Sequence, residues 1–134
     1  MAGSPLAKKL GIREGQRLLI LNAPAGYADS LAPLPEYAEV QTMPDGAFDF
    51  VQVFVHNQAE VEQYAPTALG ALKPGGLLWF TYPKKTSKIK TDIHRDVGWD
   101  AVKNAGMEGI ASISVDDTWS GIRFRPAGDI KRRR

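Results

Sequence analysis

The sequence predicts a single α/β domain over residues 1–134, in which a mostly parallel sheet is covered by helices on both faces. Three observations predict this class. Segments with strand-like composition alternate with segments of helical spacing along most of the chain. The strand segments are continuous apolar runs, which is typical of strands buried on both faces of a parallel sheet. Two final strand segments follow each other with no helix between them, which predicts an antiparallel hairpin at the end of the sheet.

The first third of the chain contains one clear strand. A Ser-Pro pair and a later glycine bracket a short helix over residues 5–10. The aliphatic run Leu18–Leu21 predicts the first strand. The segment Asn22–Tyr27 contains proline and glycine and ends that strand, and we expect a short helix through 29–31.

The central third contains the strongest strand. A weak strand is expected over 39–42, and the β-branched and aromatic run 50–55 predicts the central strand. Asn57 is a suitable cap for a helix whose apolar residues recur at helical spacing up to Leu72. Pro66 is expected to kink this helix or restart it.

The last third returns to strands after a glycine-rich turn. A Pro-Gly-Gly turn leads into a strand over 77–82, and a helix is expected over 97–105 with Asp96 as its cap. The hairpin strands are expected over 110–115 and 119–124. This order predicts a Rossmann-like doubly wound three-layer sandwich that ends in an antiparallel hairpin.

Composition limits the class of protein. There is no cysteine, which excludes disulfides, thiolate metal sites and cysteine nucleophiles. No apolar run approaches the roughly 20 residues of a membrane helix, and the N-terminus lacks an apolar signal region. We therefore expect a cytoplasmic protein without a membrane partner.

Positive charge is concentrated in two segments, although the net charge is only +2. Residues 84–95 carry five basic side chains against Asp92, and residues 131–134 are all basic. Lysines and hydroxyls interleave in the first segment, and both donate to phosphate or carboxylate. They predict an anionic small molecule or nucleotide as ligand, with nucleic acid as a further partner of loop 84–95 and the tail. The alternative for loop 84–95 is a solvated connection without a ligand. The alternative for the tail, about 129–134, is a disordered end of the chain.

A ligand site is expected where the parallel strands end. Ligands of open parallel sheets bind outside the carboxyl ends of the strands. The candidate residues at that edge are Asn22, Gly26, Tyr27, His56, Asn57, Tyr82, Lys84, Lys85, Thr86 and Ser87.

Several of these candidates have a structural alternative. Asn22 and Asn57 can contact a ligand or serve as turn former and helix cap. His56 follows the central strand, where it can act as a general base or pack against the next loop. The neighbouring acids Asp116 and Asp117 are interpreted as a turn, and no metal site is predicted.

Four stretches together carry a resemblance to a known fold. A first strand follows Gly-x-x-x-Gly-x-x, Phe48–Val51 opens the central strand, Leu72–Leu77 precedes the next strand, and a hairpin closes the sheet. Over residues 12–125 this layout resembles the S-adenosylmethionine-dependent methyltransferase fold in a shortened form. The resemblance implies S-adenosylmethionine as cofactor.

The residues at the implied cofactor site differ from the pattern of that fold. The turn Asn22–Gly26 has one glycine and a proline where the family has a glycine-rich turn. The acid that holds the ribose after the second strand has no counterpart, since Glu39 begins that strand and Asp45 lies in a later turn. We therefore predict negligible affinity for S-adenosylmethionine and leave the cofactor unknown.

A second resemblance is more specific. Trp79–Lys84, Ile113–Val115 and Trp119–Gly121 resemble a family of small bacterial proteins called domain of unknown function 3052. This resemblance implies a shared fold and no assigned activity. The sequence thus favours a binding protein for an anionic ligand, with a reduced methyltransferase or a non-enzymatic nucleic-acid or protein-interaction module as alternatives. Whether the chain is an enzyme stays open.

Overall fold

The computed structural model describes residues 4–127, and their order is four helices interleaved with six strands. The elements are α1 (Pro5–Leu10), β1 (Arg17–Leu21), α2 (Tyr27–Leu31), β2 (Glu39–Gln41), β3 (Phe48–Phe54), α3 (Gln58–Ala71), β4 (Leu72–Pro83), α4 (Asp100–Lys103), β5 (Met107–Ser114) and β6 (Trp119–Pro126). The strands form one sheet in the order β2-β1-β3-β4-β6-β5.

The sheet has the predicted mixture of directions. β2, β1, β3 and β4 are parallel, whereas β6 pairs antiparallel with both β4 and β5. The chain runs from β1 to β2 on one side, and β3 then lies on the other side of β1. The gap between the carboxyl ends of β1 and β3 is therefore the topological switch point, where ligands of such sheets bind.

Helices cover both faces of the sheet, as a doubly wound sandwich requires. Leu18 and Ile20 of β1 are buried on the face covered by α1 and α2. Leu19 and Leu21 are buried on the opposite face, which packs against α3 and α4. Both side-chain sets of one strand are thus removed from water, which explains the unbroken aliphatic run in the sequence. The predicted fold class is confirmed.

Aromatic contacts fix the hairpin and the helices on the sheet. Trp99, beside α4, packs against Phe80 of β4 and Phe124 of β6, with ring centroids 5.8 and 5.5 Å away. On the other face, the indole N–H of Trp79 donates to the Leu10 carbonyl at 2.9 Å and ties α1 to the sheet. Within the described residues, no helix has the length and apolar character needed to cross a membrane.

Several predicted boundaries were wrong, and two of them have a clear physical reason. The Pro-Gly-Gly turn is the irregular start of β4, which begins at Leu72 and shifts register against β3 between Phe48 and Phe50. The helix predicted over 97–105 is shorter in the structure: α4 spans Asp100–Lys103, and its N-cap is Trp99. Asp96 does not cap it, because His94 and Val97 pair through their backbones and hold the intervening residues in a turn.

Pro66 neither interrupts nor restarts its helix in the structure. α3 continues through Pro66, which is exposed on the helix surface. Val61, Ala65 and Ala68 are buried against the sheet on either side of the proline. Packing of this face holds the helix together despite the missing backbone N–H.

Candidate functional site

Seven of the ten predicted site residues lie in two groups along the carboxyl edge of the sheet, and Gly26, Tyr27 and Ser87 lie outside both groups. The first group surrounds the switch point between β1 and β3, and we call it the switch-point cluster; it consists of Asn22, His56, Asn57 and Glu60. The second group lies beyond the end of β4, and we call it the basic groove; it is lined by Tyr82, Pro83, Lys84, Lys85, Thr86, His94, Arg95, Asp96, Val97 and Ser120.

The carboxylate of Glu60 organises the switch-point cluster. Its Oε1 accepts from the backbone N–H of His56 at 2.7 Å and lies 2.8 Å from Nδ1 of the same residue. The side-chain amide of Asn22 donates to Glu60 Oε1 at 3.3 Å and to the Phe54 carbonyl at 2.8 Å. Asn57 Oδ1 accepts from the Glu60 N–H at 2.9 Å, so its predicted role as cap of α3 is confirmed.

This arrangement orients the imidazole of His56. A carboxylate oxygen can only accept, so the proton shared with Glu60 belongs to Nδ1 and the neutral ring carries no proton on Nε2. Trp119 packs edge-on against the ring, with centroids 5.4 Å apart. The His56 side chain is 41% exposed. A ring held in this tautomer can accept a hydrogen bond or a proton from a ligand at Nε2.

The basic groove has a volume of about 500 Å³ and is shaped by two backbone connections. The Lys84 N–H donates to the Thr118 carbonyl at 2.7 Å, which fixes the start of the loop on the β5–β6 turn. The opposite wall is the turn closed by His94 and Val97. Ser87 does not line the groove, because its hydroxyl donates to the Lys84 carbonyl at 2.8 Å and closes the loop.

Cations outnumber acids in the groove. Lys85 and Arg95 are exposed, and Lys84 Nζ donates to Ser114 Oγ at 2.7 Å. Within the part of the chain that the structure describes, the only carboxylate that lines the groove is Asp96, which lies 3.7 Å from Arg95. The phenol of Tyr82 is buried, and burial raises its pKa whereas the charge of Arg95 opposes that rise. Phenol and cations together form a surface that can donate hydrogen bonds to an anion.

Tyr27 and Gly26 belong to neither group. The Tyr27 hydroxyl donates to Gln52 Oε1, and Gln52 Nε2 donates to Thr81 Oγ1, each at 2.9 Å. All three side chains are buried, and burial raises the pKa of Tyr27 to about 12. Gly26 lines an apolar pocket of about 420 Å³ between β1, α2 and β2. Tyr27 also borders this pocket, but its polar end is bonded inside the core.

The positions of Glu39, Asp45 and Asn22 can be compared with the S-adenosylmethionine contacts that the resemblance implies. Glu39 pairs in parallel register with Arg17, the first residue of β1, and the Asp45 carbonyl accepts from the Arg17 guanidinium at 2.8 Å. Both acids therefore lie toward the amino end of β1, away from Asn22. At the carboxyl end, the amide of Asn22 is bonded to protein atoms. These residues do not fit the cofactor contacts that the resemblance implies.

The Asp116–Asp117 pair forms a turn, as interpreted from the sequence. Asp116 Oδ1 accepts from the N–H groups of Thr118 and Trp119, both at 2.8 Å. Residues 4–127 contain no group of three or more His, Asp or Glu side chains arranged to hold a metal ion.

Sequence reasoning missed several residues of the site, of which Glu60, Arg95 and Ser120 carry polar side chains that bear on ligand binding. Glu60 was not among the candidates, because His56 lies just outside the helix and its contact with an acid in the first turn depends on how the chain enters that helix. Arg95 and Ser120 were not among the candidates, although Arg95 belongs to the basic segment and Ser120 to the Trp-Ser-Gly triplet. Their place in the groove depends on the turn at 94–97 and on the β4–β6 pairing.

Comparisons with known proteins agree on the fold. No protein-family model and no curated protein matches the chain. Among solved structures, a SAM-dependent methyltransferase from Aquifex aeolicus is 14% identical, with 89% of this chain and 86% of that chain covered and a TM-score of 0.60. A fibrillarin pre-rRNA processing protein from Methanococcus jannaschii is 14% identical, with 91% of this chain and 73% of that chain covered and a TM-score of 0.58. DhpI in complex with SAH is 17% identical, with 91% of this chain and 83% of that chain covered and a TM-score of 0.56. Identities this low show the fold alone, and the chain has a methyltransferase-like fold.

Proposed function

We propose that this chain binds an anionic small molecule, such as a nucleotide, in the basic groove. The observation that carries the proposal is the convergence of Lys84, Lys85 and Thr86 with Arg95, which is contributed by a different part of the loop. The groove lies at the carboxyl edge of the sheet, which is the edge where this class of fold binds ligands.

The energetics favour an anion over a neutral ligand. Charge-assisted hydrogen bonds contribute roughly 1.5–3 kcal/mol each, whereas exposed lysines without a partner add almost nothing to stability. Among the described residues, Lys85 has no ion pair or side-chain hydrogen bond that a ligand would displace, and the one ion pair of Arg95 is with Asp96 at 3.7 Å. Both cations are therefore available to a ligand at little cost.

The switch-point cluster supports a ligand that extends beyond the groove. Phe54 and Thr81 are partners in the β3–β4 register, so His56 and Pro83 each lie two residues beyond that pair on neighbouring strands. Adjacent strands are about 4.8 Å apart. A ligand anchored on Lys85 and extended toward β3 would approach the His56 ring.

A crystal structure from sulfate or phosphate solution tests the proposal. The expected result is an anion in the basic groove within hydrogen-bond distance of Lys85, Arg95 or Thr86. A groove free of anions in several independent crystal forms grown at high anion concentration would contradict it.

A second candidate function is a reduced S-adenosylmethionine-dependent methyltransferase. The comparisons favour it more directly than they favour anion binding, because the similar structures include methyltransferases and a complex with SAH. The apolar pocket beside Gly26 supports it as a space for a nucleoside. Mass spectrometry of ligand released from freshly purified protein separates the candidates: an S-adenosyl compound favours the methyltransferase, and a different anion favours the first proposal.

Two narrower proposals accompany these candidates. Membership of the domain of unknown function 3052 family is supported by the stretches Trp79–Lys84 and Trp119–Gly121.

A nucleic-acid partner of loop 84–95 is supported by its five basic side chains, and salt-sensitive binding of a nonspecific oligonucleotide tests it. The basic tail, residues 129–134, lies outside the described residues, and its proposed contribution is tested by deleting it in the same assay.

A further inference from the structure

A second polar pocket lies at the amino edge of the sheet, opposite the basic groove. Its volume is about 340 Å³. Three cations line it: Arg13, which precedes β1, Lys73 at the start of β4, and Arg123 of β6. Asp49 is the only acid among its described lining residues. We call this space the amino-edge pocket.

Asp49 is already neutralised by other groups. Lys73 Nζ lies 3.1 Å from Asp49 Oδ1, and the Arg17 backbone N–H donates to Oδ2 at 2.8 Å. These contacts hold the pKa of the Asp49 carboxyl below its usual range, the backbone hydrogen bond having the largest effect. The carboxylate therefore does not serve as counter-ion for the two arginines.

Arg123 is a partly buried cation that has no counter-ion among residues 4–127. Within residues 4–127 its guanidinium forms no ion pair and donates no hydrogen bond. Burial lowers the pKa of Arg123, and the neighbouring Arg125 adds to this effect. Removing a charged group from water without a partner is unfavourable. An anion in the pocket would offset that cost.

Part of the lining of the amino-edge pocket is glycine backbone. Gly75 has φ +79°, a conformation that favours glycine, and beyond its chain neighbours no described atom lies within 4 Å of the position that a Cβ would take there. The Cβ position of Gly76 is instead filled by protein atoms, with the Asp49 carbonyl oxygen 2.9 Å away. A small ligand can therefore approach the main chain at Gly75 closely.

We propose that the amino-edge pocket is a second anion site, separate from the basic groove, which takes a phosphate group between Arg123, Arg13 and the backbone at Gly75 and Gly76. The phosphate group is either free phosphate or the terminal group of a nucleotide. The proposal does not depend on the basic groove, because no residue lines both sites.

Residue-resolved NMR titration with inorganic phosphate, at ionic strength held constant with sodium chloride, tests the proposal. We expect saturable shifts of the Gly75 and Gly76 amides and of the Arg123 side-chain Nε–H. Arg123→Gln should weaken this response at least fivefold, whereas Arg125→Gln, outside the pocket, should change it less than twofold. A parallel titration with AMP distinguishes free phosphate from a nucleotide, according to which ligand saturates these signals at lower concentration.

Two results would overturn the proposal. One is a linear, non-saturating response of the Gly75 and Gly76 amides to both ligands, and the other is equal affinity in wild type and Arg123→Gln. The amides of Lys84–Thr86 report the basic groove in the same spectra, so failure at either site is seen separately.

Thermal unfolding provides a second readout that does not depend on assigning the ligand. Phosphate should raise the Tm of wild type more than that of Arg123→Met, which keeps most of the aliphatic stem. Without phosphate, Arg123→Met should be at least as stable as wild type, because it removes a cation that lacks a partner. A lower Tm of this variant without phosphate would show that the guanidinium has a structural partner and would contradict the proposal.

Discussion

Nδ1 of His56 lies 2.8 Å from Oε1 of Glu60, four residues later in the chain, directly over the switch point of the sheet. The same oxygen accepts the backbone N–H of His56 and the side-chain amide of Asn22. One carboxylate oxygen thus joins the end of β1, the end of β3 and the first turn of α3. The connection places an oriented imidazole at the position where this fold binds ligands.

Replacing Glu60 by alanine should destabilise the protein and change the tautomer of His56. The variant loses a charge-assisted contact and leaves the part-buried His56 N–H without its acceptor, at a cost of roughly 1–3 kcal/mol. Urea unfolding measures the cost, and ring nitrogen chemical shifts should show the neutral proton on Nδ1 only in wild type. Glu62→Ala, an exposed position on the same helix, is the control. Unchanged nitrogen shifts in Glu60→Ala would refute the assigned tautomer.

The buried phenol of Tyr27 predicts a loss of stability at high pH. Its pKa is raised to about 12 in the folded protein, against 10.0 for an ordinary tyrosine. Between these values the unfolded chain loses the phenolic proton while the folded protein retains it, so stability falls as pH rises from 10 to 12. Two pKa units correspond to about 2.7 kcal/mol. Denaturant unfolding across this range should show a larger loss in wild type than in Tyr27→Phe, which retains only the contribution of Tyr82, whose pKa burial also raises. An equal decline in the free energy of unfolding of both proteins would contradict the raised pKa of Tyr27.

Pro66 predicts a stabilising substitution in α3. Pro66→Ala restores a backbone N–H that can donate to the Glu62 carbonyl, and it removes the clash of the ring with the preceding turn. We expect a gain of roughly 1–3 kcal/mol in the free energy of unfolding. The neighbouring exposed variant Thr67→Ala should gain only about 0.5 kcal/mol. A Pro66→Ala variant less stable than wild type would mean that the proline itself is required for packing.

S-adenosylmethionine should bind negligibly. Glu39 and Asp45 lie toward the amino end of β1, and the amide of Asn22 at the carboxyl end is bonded to Phe54 and Glu60. These three residues are therefore not placed to contact the ribose or the methionine of the cofactor. A ligand at a hundredfold excess over its Kd stabilises the folded protein by about 2.7 kcal/mol. Because we expect the cofactor not to reach such an excess even at millimolar concentration, it should leave Tm unchanged. Micromolar binding in isothermal titration would reverse this conclusion and favour the methyltransferase candidate.

The fold was predictable because its signals are local. The unbroken runs at Leu18–Leu21 and 50–55 each report a strand buried on both faces, and alternation with helices fixes the parallel arrangement. Boundaries that depend on tertiary contacts were not predictable. The turn at 94–97 shortens α4, and packing of Val61 and Ala65 carries α3 past Pro66.

The candidate site was predictable only in part, for a related reason. Strand order predicts that Asn22, His56 and Lys85 lie at the carboxyl edge of the sheet. Their division into two groups depends on the hydrogen bonds that the side chains form. Glu60 Oε1 gathers Asn22 and His56, whereas Ser87 bonds back to Lys84. Neither contact has a signal in a single sequence strong enough to outweigh the alternatives.

The most direct test of the basic groove is a nucleotide titration followed at the amides of Lys84–Thr86. Lys84→Ala combined with Lys85→Ala should leave the fold intact and weaken AMP binding at least tenfold, which corresponds to about 1.4 kcal/mol. Lys88→Ala combined with Lys90→Ala removes two exposed cations of the same loop that do not line the groove, and serves as the matched control. The proposed function predicts a tenfold loss in the first double variant and little change in the second. Equal affinity in wild type and both double variants would contradict it and leave the loop a solvated connection.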